Sequence, residues 1–381
     1  MKVQEIDIFR VALPFDAGRK PAAGIGEGGG DAFNAASRSL ARMESLMVRL
    51  TTDTGVQGWG EGFGHLINPV TFAALAGSVG RFFLGTDVTG QPESFSGRMR
   101  QAHRAFHAFG ATGPVMYALS ALDTALWDIC AKAAGVPLRR LLGAGRDAVP
   151  CYASLVCYDN DPAEVARQAV RAADLGFRKI KLHETVPAAV LAARDALGDG
   201  VELMVDVNCP WSRRQAQEAV RRMAGARLGW VEEPIWPPAD LAGLAQLRRL
   251  GVPVAAGENA AGVQGFEQHF QAGALDVAQP SVAKIGGVSG MIEVVRLARE
   301  HGVKVVPHCF YYGPGLSAAA QIVASLSDDV FLEVPFLQWA RPLHAQQQPV
   351  PVLSLPDAPG IGFEPDMRVL ESHLLDRANL A

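Results

Sequence analysis

Three acidic residues, Asp206, Glu232 and Glu258, stand 26 and 26 residues apart. Each closes a short apolar run, in "ELMVDVN", "GWVEEP" and "VPVAAGEN". If those runs are parallel strands, their ends gather the three carboxylates at one place. Converging carboxylates in a partly dry cavity repel one another strongly, and a hard divalent cation removes the conflict. An all-oxygen donor set with open positions suits Mg²⁺, with Mn²⁺ as the alternative.

A second stretch, "RKIKLHE" from Arg178 to Glu184, reads as a strand. Side chains alternate across a strand, so Lys179, Lys181 and His183 share one face, and Ile180 and Leu182 the other. Beside a metal and a carboxylate substrate, an ammonium can neutralise charge. Where burial and a nearby cation depress its pKa, it can act as a base. That is the equipment for removing the weakly acidic proton α to a carboxylate, which leaves two negative charges to be stabilised. By parity His183 and Asn208 point inward and are expected to contact substrate. Together with Tyr312 they suit a substrate with several hydroxyls.

The elements that must hold these residues are legible from about Val149 onward. Eight apolar cores follow one another: "PCYASL", "KIKLH", "ELMVDVN", "GWVEEP", "VPVAAGE", "LDVAQPS", "VKVVPH" and "VFLEVP". Each of the first seven leads into a helix-like segment, and the units are near-equal in length. This pattern predicts a parallel (β/α) barrel, whose site lies at the C-terminal strand ends. Those ends supply Lys179, Lys181 and His183, then Asp206 and Asn208, Glu232, Glu258, Gln279 with Ser281 and Lys284, His308, and finally Glu333. Glu233 falls on the opposite face from Glu232.

Ahead of the barrel, "KVQEIDIFRVALPF" is strand-like, and Asp53-Thr54-Gly55 turns a hairpin. Val115 to Ala134 is helical and ends at Gly135-Val136-Pro137. The Gly-rich loop over residues 16–36 contains Gly24-Ile25-Gly26-Glu27-Gly28-Gly29, a literal GxGxxG. No buried strand precedes it and no βαβ unit follows, so it reads as a mobile surface loop. His103 and His107, with Phe106 and Phe109, form a helical stripe read as packing. Trp59, Trp236 and Tyr311 are candidates for either pocket or core.

Of 381 residues, 49% are hydrophobic and the formal charge is −4, which gives no attraction for nucleic acid or an anionic membrane. No apolar run reaches the roughly 18–20 residues of a membrane span, and "MKVQEIDIF" lacks a signal peptide's apolar core. The five cysteines are scattered without a Cys-x-x-Cys, which predicts reduced thiols in the cytoplasm.

With these motifs in place, the sequence resembles the enolase superfamily, in particular its mandelate racemase/muconate lactonizing enzyme group. "KIK" is similar to the group's Lys-x-Lys motif, and "VDVN", "VEEP" and "GEN" to its three metal-ligand segments. "KIGGV", "ALDTALWDICAKAAGVPLRRLLG" and "PDAPGIGFEPD" extend the resemblance over essentially the whole chain. It implies a modified TIM barrel, (β/α)₇β, over residues 133–350, and an α+β capping domain from residues 1–132 completed by the tail 351–381. Loops near 16–36 and 58–66 would close over the substrate. The resemblance makes Asp206, Glu232 and Glu258 ligands of Mg²⁺, Lys181 a base on one face of the substrate, and Lys179 a contact to its carboxylate. Glu333 becomes an electrophilic hydrogen-bond partner. His308 falls where racemase-type members carry the opposite-face base, but Ser281 stands where they pair it with an aspartate. Lys284 is the other candidate for that face. The implied activity is Mg²⁺-dependent dehydration of a polyhydroxy acid, with racemisation or epimerisation of a 2-hydroxy acid or amino-acid derivative as the alternative and a non-catalytic barrel as a remote third. The expected partner is a small carboxylate, in a homo-oligomeric protein.

Overall fold

The computed structural model describes residues 1–19, 37 and 40–381. The GxGxxG segment and most of the loop expected to be mobile lie outside these residues. The N-terminal strands are β1 (Val3–Asp16), β2 (Arg42–Thr52) and β3 (Gln57–Gly62), antiparallel in that order. In β3 the glycines alternate with Trp59 and Glu61. The helix Pro114–Ala133 lies directly on that glycine stripe. A Cβ at Gly58 would run into the carbonyl of Ala125, one at Gly60 into that of Ala121, and one at Gly62 would crowd that of Tyr117. Glycine is required here because a helix backbone rests on a strand backbone. Trp59, on the other face, packs between Phe9 and Phe363.

The barrel follows. Its strands are β4 (Ala148–Ser154), β5 (Lys179–Leu182), β6 (Glu202–Asp206), β7 (Val231–Glu232), β8 (Val254–Ala256), β9 (Val277–Ala278), β10 (Lys304–Val305) and β11 (Leu332–Pro335). All pair in parallel, β4 through β10 in chain order, and β11 pairs with β4. A helix follows each of the first seven, from Pro162–Asp174 to Pro314–Val323. This is the (β/α)₇β arrangement expected from the spacing. Ile180, Leu182, Leu203 and Val205 are fully buried, as the outward face of strands covered by helices requires. The sheet curls so that β10 approaches β11, where the Cys309 N–H donates to Glu333 at 2.8 Å.

The chain then returns to the first sheet. β12 (Gln338–Trp339) pairs with the end of β1, β13 (Val352–Ser354) adds antiparallel to β4, and β14 (Leu374–Leu380) pairs along β1. The cap is pinned to the barrel by buried polar contacts. Asp123 accepts from the Ser289 N–H at 2.9 Å and its hydroxyl at 2.6 Å. Within the cap, Asp128 ties the tail to β3 by accepting from the Ile361 and Trp59 amides. The Phe63 N–H donates to the Ala283 carbonyl at 3.1 Å. Among the described residues, no helix is long and apolar enough to cross a membrane.

Candidate active site

The C-terminal ends of the barrel strands place an ionic cluster under the cap. Lys181 is fully buried, with its Nζ 2.8 Å from Glu232 Oε1, 2.7 Å from Glu333 Oε1 and 3.6 Å from Asp206 Oδ2. Burial alone would discharge the ammonium, but the charges of Glu232 and Glu333 outweigh it and hold its pKa well above that of ordinary lysine. The second oxygen of Glu232 accepts from Trp230 Nε1 at 2.9 Å and Gln279 Nε2 at 2.7 Å. Glu233, on the opposite face as expected, accepts from the Gly257 N–H at 3.0 Å.

His183 sits one step further along the same strand. Its Nδ1 bonds the Leu155 carbonyl. A carbonyl oxygen only accepts, so Nδ1 carries the hydrogen, and in the neutral ring the lone pair is on Nε2. Nε2 is 3.3 Å from Asp206 Oδ2. The other oxygen of Asp206 accepts from the backbone and side chain of Asn208, at 2.9 and 2.7 Å.

The facing wall comes from strand ends three, four and five positions round the barrel, those of β8, β9 and β10. Glu258 Oε2 is 2.8 Å from His308 Nε2 and 3.8 Å from Lys284 Nζ. Burial works against its carboxylate, yet Lys284 and His308 hold its pKa well below the usual range. Among the described residues, His308 Nδ1 is buried without a partner. Ser281, at the position where the resemblance expects an aspartate, bonds the Tyr311 hydroxyl instead. Lys284 also lies 4.2 Å over the Phe63 ring.

These walls enclose a cavity of 460 Å³ bounded by His183, Asp206, Asn208, Glu258, Lys284 and His308. From the cap side it is closed by Phe63, His65, Leu66, Ile67, Pro114 and Tyr117. The sequence reading named the loop 58–66 but not these side chains. Only the lone histidine in "GFGHLI" hinted at them.

Two expected site residues lie elsewhere. Lys179 shares the inward face with Lys181 but is two residues nearer the strand start. Its Nζ is 2.9 Å from Glu202 and 4.3 Å from the Phe331 ring, among residues that open the strands. It belongs to the floor of the barrel, so the pair reaching the site is Lys181 and His183. Tyr312 is turned away: its hydroxyl donates to the Val11 carbonyl at 3.1 Å and its ring packs on Trp339. Trp236 is exposed, and Trp59 and Tyr311 are buried off the cavity wall. His103 and His107 border a separate groove between cap and barrel.

Asp206, Glu232 and Glu258 each end or follow a successive strand, as the 26-residue spacing requires. Their oxygens are engaged by Lys181, His183, Lys284 and His308. Among the described residues no three His, Cys, Asp or Glu side chains converge on a single point. The donor chemistry nevertheless fits a hard cation, because Asp206 and Glu258 border the cavity and Glu232 lies buried at the strand end between theirs, all with only oxygens to offer.

A capped barrel with acids at three successive strand ends and proton carriers on both sides defines an enzyme that works on a carboxylate beside a divalent metal. The chain matches the family described as "Enolase C-terminal domain-like" over residues 164–369, and the "Mandelate racemase / muconate lactonizing enzyme, N-terminal domain" over residues 31–143. It belongs to the mandelate racemase/muconate lactonizing enzyme group of the enolase superfamily. It is 31% identical over 355 residues to the D-galactarolactone cycloisomerase of Agrobacterium fabrum, covering 87% of this chain and 92% of that protein. It is 30% identical over 318 residues to the L-talarate/galactarate dehydratase of Salmonella typhimurium, covering 81% and 77%. The solved L-talarate dehydratase of a Polaromonas species, complexed with Mg and L-glucarate, superposes with a TM-score of 0.82 at 25% identity, covering 100% of this chain and 99% of that one.

Proposed function

We propose that this enzyme is an acid-sugar dehydratase, removing the proton α to a carboxylate and expelling the β-hydroxyl as water. One observation carries the reading: proton carriers on facing walls of one cavity, His183 on one side and Lys284 with His308 on the other, with Asp206 and Glu258 between them. Dehydratases of galactarate, gluconate and galactonate among the relatives support the substrate class.

Asp206, Glu232 and Glu258 would hold Mg²⁺. When bound, the ion supplies positive charge beside the substrate carboxylate, where negative charge accumulates as the α-proton leaves. We assign the α-proton to His183 rather than to Lys181. The His183 ring lines the cavity with Nε2 3.3 Å from Asp206 Oδ2, whereas the Lys181 ammonium is locked between two carboxylates. Lys181 then serves as fixed positive charge beneath the substrate carboxylate. Glu333, which Lys181 and the Cys309 amide hold as a carboxylate, fixes that ammonium in place rather than donating to the substrate, and Asn208 is placed to meet a hydroxyl.

The Cα–H bond breaks toward His183, and its electron pair passes into the carboxylate. It returns as the Cα–Cβ double bond while the Cβ–O bond breaks. Lys284 or His308 protonates the departing hydroxyl, so water leaves and an enol remains that tautomerises to a 2-keto acid. Returning a proton to Cα from the second wall would instead epimerise the substrate. The facing carriers support this second reading, as does 29% identity to the L-Ala-D/L-Glu epimerase of Bacillus subtilis.

The test is a screen of acid sugars, 2-hydroxy acids and amino-acid derivatives with Mg²⁺ in D₂O, read by mass spectrometry. Loss of water from an acid sugar is the expected result. Gain of one deuterium without water loss would make the enzyme an epimerase, and no reaction with any compound would overturn both readings.

A further inference from the structure

His65 combines three features that the α-proton chemistry does not use. It is buried on the cap loop that closes the cavity. Its φ of 40° puts a non-glycine residue in the left-handed region, just after Gly64, whose own Cβ would crowd Ile67 and Asn68. Its Nδ1 is buried without a hydrogen-bond partner among the described residues. A left-handed non-glycine backbone and an unsatisfied buried nitrogen each cost stability, and such costs gather where a ligand makes use of them.

The surroundings hold the ring in place. Phe63, tied by its amide to Ala283, packs edge-on against His65 with centroids 5.2 Å apart. Burial, then the charges of His308 and Lys284, push the His65 pKa down to about 4, so the imidazole is neutral. A neutral imidazole offers one donor and one acceptor, which is what a hydroxyl group requires. Of its cap neighbours, Phe63, Leu66, Ile67 and Pro114 offer no side-chain hydrogen bond, and Tyr117 offers a hydroxyl.

We propose that His65 is the cap's specificity residue and hydrogen-bonds a hydroxyl on the part of the substrate beyond the reacting carbons. This rests on the acid-sugar reading and adds to it a demand for a hydroxyl at that place. Phe63, Leu66, Ile67 and Pro114 then penalise a hydroxyl that neither His65 nor Tyr117 reaches, because a buried polar group without a partner is costly.

The experiment is isothermal titration of the Mg²⁺-loaded enzyme and two variants. The probes are a panel of aldonic and aldaric acids, of which D-gluconate is one, together with 2-hydroxyhexanoate, which has a hydroxyl only at the α carbon. His65→Phe keeps an aromatic ring on Phe63 but removes the hydrogen bond. His65→Asn tolerates the left-handed backbone and keeps a donor and an acceptor. Losing one neutral hydrogen bond should weaken the best acid sugar roughly tenfold in His65→Phe, with His65→Asn recovering part of the loss and 2-hydroxyhexanoate unaffected. An acid sugar that binds wild type and His65→Phe equally overturns this inference alone. Equal weakening of both probe types also overturns it, because the ring would then only shape the loop. If no acid sugar binds wild type, the substrate reading falls and the inference falls with it.

Discussion

Lys179 and Lys181 stand two residues apart on one face of one strand, yet their ammonium groups serve different layers of the barrel. Lys179 Nζ lies 2.9 Å from Glu202 at the floor, and Lys181 Nζ lies 2.7 Å from Glu333 beneath the site. A strand rises about 3.3 Å per residue, so the two stand roughly 7 Å apart in depth. Lys179→Ala should leave turnover within about twofold and change stability by about 0–1 kcal/mol, as expected for a partly exposed pair. Lys181→Ala leaves Glu232 and Glu333 buried without their cation and should lower kcat by about 100-fold or more. Steady-state kinetics on the two variants separate the layers. Equal losses would contradict them.

Glu258→Gln exchanges a charged oxygen donor for a neutral one and frees His308 and Lys284 from their carboxylate. Calorimetric titration should find Mg²⁺ bound at least about tenfold more weakly, the scale of losing charge from a hard-cation ligand set. Unchanged affinity would remove Glu258 from the ligand set.

Glu61 couples cap to barrel and sets a pH dependence. Its carboxyl accepts from Ser45 Oγ at 2.5 Å and the Gly315 N–H at 2.8 Å. Burial raises its pKa from 4.5 to about 7, against the opposing pull of those donors. Between these values the folded protein holds a proton that the unfolded chain has released. Stability therefore falls as pH rises from about 4.5 to 7 and levels off above, by about 3 kcal/mol for this one group. Glu61→Gln cannot titrate, so its denaturant midpoint should decline less than that of wild type from pH 5 to pH 8. Identical declines would show that Glu61 does not bind the proton.

Gly60→Ala places a methyl against the Ala121 carbonyl, which is backbone and cannot rotate away. The cap helix must lift off β3, at a cost of about 1–3 kcal/mol or more. Gly200→Ala, which meets nothing within 4 Å, should stay within about 0.5 kcal/mol of wild type. Thermal melts of both variants check the contrast, and equal melting temperatures would contradict the close approach.

Much of the barrel was legible because its repeat is long and regular. Seven helices follow seven apolar strands, and the 26-residue spacing alone puts Asp206, Glu232 and Glu258 at successive strand ends. The depth of a residue along its strand was not legible. Parity assigns Lys179, Lys181 and His183 to one face without saying which of them reaches the mouth, and the match of "KIK" to a Lys-x-Lys motif favoured the wrong pair. Tyr312 was misjudged for a related reason: it lies past the strand end, where period-2 parity no longer applies, and its hydroxyl turns to Val11. His65 showed only as the lone histidine of "GFGHLI", because its backbone angle and its want of a partner among the described residues have no sequence signature.

The assignment of His183 as the α-proton base is tested most directly by deuterium exchange at Cα in D₂O with Mg²⁺, comparing wild type with His183→Asn on whichever substrate the screen identifies. Loss of a general base costs about 100-fold or more. Exchange in the variant is expected to fall by at least that factor, while calorimetry finds Mg²⁺ still bound. Exchange at the wild-type rate would contradict the assignment and return the α-proton to Lys181 or to the far wall.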